Sequence, residues 1–377
     1  MREYLGIFFK EVLRRIERLK GFFIKFIFSP KKNRGKEILL FPLTLVSFFY
    51  RQLIILRYKC YQRGFLFSRK LPIAVISVGN LTVGGTGKTP TAIYLAKFFQ
   101  SHGKRVAILS RGYKGRAAKK INVVSDGEKI ILGANEAGDE PFLLAEKLSG
   151  VPILTGKDRG LLGEYAWRNF STEVVILDDG FQHLKVQKDV DIVLIDGQNP
   201  FGNGYLIPRG SLREPPEQLK RAQLILVTKL EREEDNEKVK KIISPYTYST
   251  PIFFAYYIPV MLEDLKKREK FSLDYLQGKK VVALAGIAKP ESFSSLLTRL
   301  GAEVVKTMFF PDHYRYQPKD LNNWKGDLPI ITTKKDAVKL KHLSLPNRKI
   351  LVLDVEIKIE KEKEFQRILK NYLLFLN

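Results

Sequence analysis

The sequence predicts an α/β protein: a parallel-sheet domain, a smaller C-terminal α/β domain, and N-terminal helices of basic, amphipathic character. Three observations carry this. Strand-length apolar runs alternate with helix-period segments between residues 74 and 228, the pattern of a parallel sheet. The same alternation resumes at Lys280 after an interval without clear patterning. The first 56 residues combine apolar side chains at helical spacing with many cations. A chain of 377 residues has room for two or three domains, and boundaries near 70 and 245 divide it into 1–70, 71–245 and 246–377.

Composition narrows the classes further. Hydrophobic residues make up 45% of the chain, which excludes a disordered or polytopic membrane protein. The single cysteine, Cys60, cannot build a disulfide framework or a cysteine-based zinc site, and fits a reducing cytoplasm. With 65 Lys and Arg against 40 Asp and Glu, the net charge of +25 calls for an anionic partner. That partner is a nucleic acid, an anionic membrane or a phosphorylated substrate. No reader motif and no aromatic–basic interleaving is present, so nucleic acid is not expected. Nothing in the composition implies a protein partner.

Residues 1–28 place Leu5, Phe8, Phe9, Val12, Leu13, Ile16, Leu19 and Phe23 on one helical stripe, with Lys10, Arg14, Arg15, Arg18 and Lys20 mostly off it. Such a helix suits a bilayer interface, or equally a packed surface of the protein. After the basic linker Ser29–Lys36, a second apolar run spans Ile38–Tyr50 and, beyond Arg51, Leu53–Leu56. It falls short of the ~20 apolar residues a spanning helix needs. A membrane-dipping or surface-bound helix, opened by Pro42, is expected, the alternative being a buried core helix.

Val75–Val78 then reads as a buried strand running into Gly79, Gly84, Gly85 and Gly87, and Lys88-Thr89 opens a helix through Ala92, Leu95, Ala96 and Phe99. Strand, glycine loop, Lys-Thr and helix in this order predict a phosphate-binding loop, and with it a P-loop NTPase-like fold. Glycines let backbone N–H groups turn inward around phosphate oxygens, and the helix N-terminus adds partial positive charge. Lys88 is expected to reach the β/γ-phosphates and the Thr89 hydroxyl to ligate Mg²⁺. One position departs from the usual pattern: Thr82 stands where a glycine is common.

Lys104–Ser110 is a second strand, delivering Arg111-Gly112-Tyr113-Lys114-Gly115-Arg116 to its carboxyl end, where open α/β sheets bind ligands. In Gly138-Asp139-Glu140-Pro141, spacing alone favours Asp139 as a helix N-cap before Phe142–Leu148, the alternative being an acidic group that faces the site as general base or metal partner. Val174–Leu177 is a strand ending in Asp178-Asp179, with Gln182 and His183 behind. A carboxylate there organises Mg²⁺ while the loop holds the nucleotide. Val190–Asp196 and Gln223–Thr228 are further strands, and between them Arg209 and Arg213 are candidate anion clamps. Glu231–Glu237 reads as a solvated helix face. In the second unit, Lys280–Ala285, Val304–Phe309, Ile330–Thr333 and Ile350–Ile357 read as strands. Pro290–Leu300 and the C-terminus read as helices.

With these residues assembled, the chain resembles the tetraacyldisaccharide 4′-kinases, the lipid A kinases. The matching pieces are SVGNLTVGGTGKTP, LSRGYKGR, EAGDEP, ILDDGFQH, LREP, FPDHYRY and TTKKD, in the family's order from Ile73 to Asp336. The resemblance implies transfer of the ATP γ-phosphate, with Mg²⁺, to the 4′-hydroxyl of an acylated disaccharide 1-phosphate lipid. It implies work at the cytoplasmic face of the inner membrane, with the enzyme held peripherally on an anionic surface. By motif, it implies that Gly84, Gly85, Thr86, Gly87, Lys88 and Thr89 hold the nucleotide, with Gln182, His183, Arg213 and Glu214 in the same site. Thr89, Asp178 and Asp179 become the metal site. Asp139 becomes the catalytic base, paired with His313, with Lys88 and Asp179 also catalytic; this replaces the N-cap reading of Asp139. The competing expectation from the residues alone is a membrane-associated P-loop NTPase or a kinase for another small molecule.

Overall fold

The computed structural model describes residues 26–29, 33–113, 115–230, 232–287, 290–311, 314–322, 326–341, 343 and 348–374. The amphipathic stripe expected over residues 1–28 lies almost wholly outside these, as do His313 and Lys114.

The strands are β1 (Ala74–Asn80), β2 (Val106–Ser110), β3 (Asn122–Ser125), β4 (Ile153–Thr155), β5 (Val174–Asp178), β6 (Val190–Asp196), β7 (Leu224–Thr228), β8 (Ile252–Asp264), β9 (Lys270–Phe271), β10 (Lys280–Ala285), β11 (Glu303–Phe309), β12 (Ile330–Thr333) and β13 (Ile350–Ile359). They form one continuous sheet in the order β11-β10-β12-β13-β8-β7-β6-β1-β5-β2-β4-β3, with β9 paired to β8. Pairing is parallel except at β3–β4, β8–β13 and β8–β9. The chain is therefore a mixed α/β protein with mostly parallel strands. β1 lies between β5 and β6, so the chain moves to one side of β1 and then to the other. Such a reversal opens a crevice at the strands' carboxyl ends.

The central strands are buried along their whole length because helices cover both faces. Lys88–Ser101 packs Ala92, Leu95, Ala96 and Phe99 onto one face of β1. On the opposite face, Leu162 and Ala166 of helix Arg159–Phe170 join Val75, Val175 and Leu177. Phe365 and Leu369, from the amphipathic helix Glu362–Leu374, also enter the first of these cores.

β8 escapes the sequence reading. Its run IFFAYYIPVMLED contains Pro259, which argues against a strand. The structure accommodates the proline opposite Val355, beside a register shift between Asp354 and Val355. Residues 252–254 pair with β7, and Ala255–Asp264 pair with β13. One strand thus belongs to both halves of the sheet.

The apolar run after residue 38 is one helix, Phe41–Gln62, with Pro42 in its first turn. Among the described residues no helix is long and apolar enough to cross a membrane. One side of this helix packs on the protein: Ser47 Oγ donates to the Leu206 carbonyl at 2.8 Å and the Tyr50 hydroxyl to the Arg213 carbonyl at 3.1 Å. Arg51, which interrupts the run, pairs with Glu217 at 3.2 Å. The other side leaves Phe41, Leu45, Phe48, Phe49, Leu53 and Leu56 exposed, followed by Phe65 and Phe67 at the helix end.

Candidate active site

The glycine loop leaves β1 and closes on the helix at Gly87, which has φ +90°. Gly84 (φ +118°) and Gly85 have open space where a Cβ would stand, leaving their backbone accessible from outside. Thr82 explains its own departure from the usual pattern. It forms an antiparallel bridge with Leu212, flanked by hydrogen bonds from Val83 N to Ser211 O (2.8 Å) and Arg213 N to Leu81 O (2.7 Å). The first half of the loop is a short extended ribbon, where glycine's freedom is not needed. Thr86 is buried, and Thr89 stands in the first helical turn.

Val78 pairs with Asp178 across β1 and β5, so the carboxylates end their strand beside the loop. Their environments differ. Asp179 adopts φ +56° and turns its carboxylate onto two cations: Lys88 Nζ lies 3.5 Å from Oδ1, and Arg213 Nη1 lies 2.8 and 2.9 Å from the two oxygens. Burial would raise its pKa, but Lys88 and then Arg213 outweigh it and hold the carboxyl below the usual aspartate range. Asp178 is almost fully buried. It accepts one hydrogen bond, from Ser110 Oγ at 3.2 Å, and its Oδ1 has no hydrogen-bond partner. Burial first, and then the negative charges of Glu140 and Asp179, push its carboxyl up to about 7 against the pull of Lys88. Gln182 donates to the Asn80 carbonyl at 2.9 Å, tying the turn after β5 to the end of β1. His183 lies in the same turn. Burial, with the positive charges of Arg159 and Lys188, lowers its pKa to about 4, so it is neutral at pH 7.

Asp139 opens the helix Asp139–Lys147; Gly138 (φ +92°) occupies the cap position, which corrects the spacing-based assignment of Asp139 to it. A carboxylate in the first turn is stabilised by the helix N-terminus. The helix meets Lys334–Leu340 of the second half through opposite charges. Lys339 Nζ lies 3.8 Å from Asp139 Oδ2, Lys335 Nζ 3.9 Å from Glu140, and Lys341 Nζ 2.6 Å from Glu146. The TTKKD segment places this second helix: Thr333 caps it, and the fully buried Asp336 accepts from Thr333 Oγ1, Tyr316 Oη and the Gly286 amide. His313, expected beside Asp139, lies outside the described residues.

Two arginines that look alike in the sequence part company. Arg213 reaches the site, but Arg209 is 2% exposed, paired with Glu37 at 2.9 Å and stacked over the Tyr205 ring. Arg209 anchors the N-terminal segment and is not an anion clamp. Glu214 is likewise not brought to the loop. Its carboxylate is 2% exposed and meets Arg221 at 2.5 Å, and Arg221 stacks over Phe181 and Tyr58. Breaking one side of a buried ion pair typically costs about 3–5 kcal/mol. Glu214→Ala is therefore expected to lower chemical-denaturation stability on that scale while leaving KM for ATP within twofold. A selective rise in KM would restore Glu214 to the nucleotide site.

Among the described residues no group of three or more His, Cys, Asp or Glu is arranged to hold a metal. Sequence reasoning also passed over Asn80, whose Oδ1 lies 3.5 Å from Lys88 Nζ and whose Nδ2 donates to the Thr82 carbonyl. Its position at the strand's end, just before the loop, was the available signal.

A glycine loop on β1 beside a carboxylate pair on β5 defines a phosphate-loop nucleotide-binding protein. The family model described as tetraacyldisaccharide-1-P 4′-kinase matches residues 38–374, and the chain belongs to that family. It is 41% identical over 358 residues to the tetraacyldisaccharide 4′-kinase of Syntrophus aciditrophicus, covering 90% of this chain and 94% of the relative. With the enzyme of the same name from Halothermothrix orenii it shares 38% identity over 379 residues, covering 94% and 98%. A crystal structure of LpxK from Aquifex aeolicus in complex with ATP superimposes with a TM-score of 0.72 at 34% identity, covering 89% of this chain and 99% of that one.

Proposed function

We infer that this chain is a lipid kinase that transfers the γ-phosphate of ATP to the 4′-hydroxyl of tetraacyldisaccharide 1-phosphate in lipid A biosynthesis. Family membership across nearly the whole chain names the reaction. The observation that carries the chemistry is the cluster of Lys88, Asp179 and Arg213 at the mouth of the glycine loop. Phosphoryl transfer depends on positioning and charge stabilisation. In this reading the loop amides from Gly84 to Lys88 cradle the triphosphate. Lys88 and Arg213 leave Asp179 to meet phosphate oxygens.

Mg²⁺ fits the remaining donors. Asp178 offers a buried carboxylate oxygen without a hydrogen-bond partner, and it feels the negative charges of Glu140 and Asp179. Thr89 and Asp178 would hold the ion, with Asp179 beside them; when bound it neutralises charge on the transferring phosphate. Asp139 accepts the proton of the sugar hydroxyl, and His313 completes that pair. Gln182 and His183 support the turn that carries both aspartates.

The functional division we propose is a membrane-facing segment (1–70), a nucleotide unit (71–245) and a smaller C-terminal α/β unit (246–377). The exposed apolar face of Phe41–Gln62, with the exposed cations Lys59 and Arg63 at its C-terminal end, supports peripheral docking on an anionic leaflet. In this reading the enzyme works peripherally at the cytoplasmic face of the inner membrane, on an acyl-chain substrate. Replacing Phe48, Phe49 and Leu53 together with serine is expected to weaken cosedimentation with phosphatidylglycerol vesicles at least tenfold, given about 1.5–3 kcal/mol per buried apolar side chain. Unchanged cosedimentation would remove this helix from the docking surface.

The test of the whole reading is Mg²⁺-dependent transfer of labelled γ-phosphate from ATP to tetraacyldisaccharide 1-phosphate in detergent micelles. Labelled lipid is expected. ATP hydrolysis without labelled lipid would instead favour a membrane-associated NTPase.

A further inference from the structure

Beneath the glycine loop lies a contact that the reaction chemistry does not call for. A Cβ built on Gly87 would stand 1.8 Å from Tyr257 Oη, so the tyrosine hydroxyl presses against the backbone immediately before Lys88. The Tyr257 ring is half-buried, but its hydroxyl is deep inside the protein. Burial raises the phenol's pKa well above its ordinary range, a hydrogen-bonding contact with Thr228 opposes the shift, and Asp196 adds to it. The phenol is therefore neutral at every working pH. Thr228, at the end of β7, is fully buried and donates to the Thr86 carbonyl at 2.8 Å. Two side chains thus hold adjacent loop residues from the side away from solvent: Thr228 at Thr86, and Tyr257 at Gly87 and at Thr228 itself.

The position of Tyr257 in the fold gives this contact its interest. It lies on β8 beyond Ala255, in the stretch that has left β7 and pairs with β13, opposite Ile357. The loop that precedes Lys88 is therefore braced by a residue belonging to the second half of the sheet.

We propose that Tyr257, acting with Thr228, is a positioning residue for the phosphate loop, so that the grip on ATP is set in part by the strand that joins the two halves of the chain. The hydroxyl pair fixes the peptide between Thr86 and Gly87, and with it the direction in which the Gly87 and Lys88 amides point. Without that brace the loop retains its sequence but samples orientations that do not match the triphosphate. The cost then appears in nucleotide binding.

This rests on the reading of the loop as the ATP site. The experiment uses the full chain in detergent micelles, measuring KM for ATP and for the lipid acceptor separately, together with direct ATP binding. Tyr257→Phe removes one oxygen and Thr228→Val removes the other. Each is expected to raise KM and Kd for ATP about five- to tenfold, the scale of one hydrogen bond, with KM for the lipid unchanged. The double variant should be no worse than the poorer single, because both oxygens act through one contact. A merely structural role would lower the melting temperature and the active fraction while leaving both KM values in place. That result, or a parallel rise in both KM values, overturns the proposal. If Lys88→Ala abolishes ATP binding and Tyr257→Phe leaves it within twofold, the ATP-site reading stands and this inference falls. If the unmodified chain binds no ATP, both fall.

Discussion

Lys88→Ala is expected to abolish measurable γ-phosphate transfer, a loss of at least about 10³-fold in kcat/KM, the scale of removing a principal charge stabiliser from a closed site. In the proposed mechanism Lys88 is the cation that the loop delivers to the reacting phosphate; its side chain is only partly exposed. It touches both Asp179 and Asn80, at 3.5 Å each. Its loss has a second consequence. Lys88 is the charge that holds the Asp178 carboxyl down against burial and against Glu140 and Asp179, so without it that carboxyl moves further up from about 7. At neutral pH a larger share of Asp178 would then be protonated and poorly suited to a cation. ATP binding by calorimetry, with and without Mg²⁺, separates the two effects. Retention of kcat/KM within tenfold would end the phosphate-loop account.

The second large effect is expected at Asp139. Asp139→Ala should lower kcat by about 10²- to 10⁴-fold, the range for a general base, with KM for ATP little changed. The fold should tolerate it. Asp139 is at the start of a helix whose cap is Gly138, and a first-turn carboxylate typically contributes only about 0.3–1 kcal/mol. Melting temperatures of the two proteins should therefore agree within a few degrees while turnover collapses. A kcat within threefold of the unmodified enzyme would return Asp139 to a role in helix stability and in the contact with Lys339.

What could be read from the sequence was what is encoded locally. The β1 strand, its glycine turn and the Lys-Thr helix start occupy consecutive residues, and so do β5 and its terminal aspartates. Strand bounds at Val190–Asp196, Lys280–Ala285 and Ile330–Thr333 are observed as read. Local pattern failed where tertiary contact decides. Pro259 disguised β8, because only the register shift opposite it makes a strand proline tolerable. Arg209 and Arg213 share a Pro- and Gly-rich loop, and only the fold sends one to Glu37 and the other to Asp179. Glu214 is adjacent to a site residue, yet packing turns it onto Arg221. Tyr257 and Thr228 carry no motif at all, and their place beneath the loop follows from strand order.

The C-terminal helix bears on how the chain is made. Phe365 and Leu369 complete the core that helix Lys88–Ser101 begins, and the Tyr94 hydroxyl donates to Glu362 at 2.7 Å across 268 residues of sequence. On a ribosome adding roughly 5–20 residues per second, the nucleotide-binding half waits tens of seconds or less for its last apolar wall. Throughout that interval the Tyr94 flank of helix Lys88–Ser101, and later Phe253 of β8, against both of which Phe365 packs, face solvent or other proteins. The nascent chain is most vulnerable to aggregation and proteolysis then, and removing the last helix would make that vulnerability permanent.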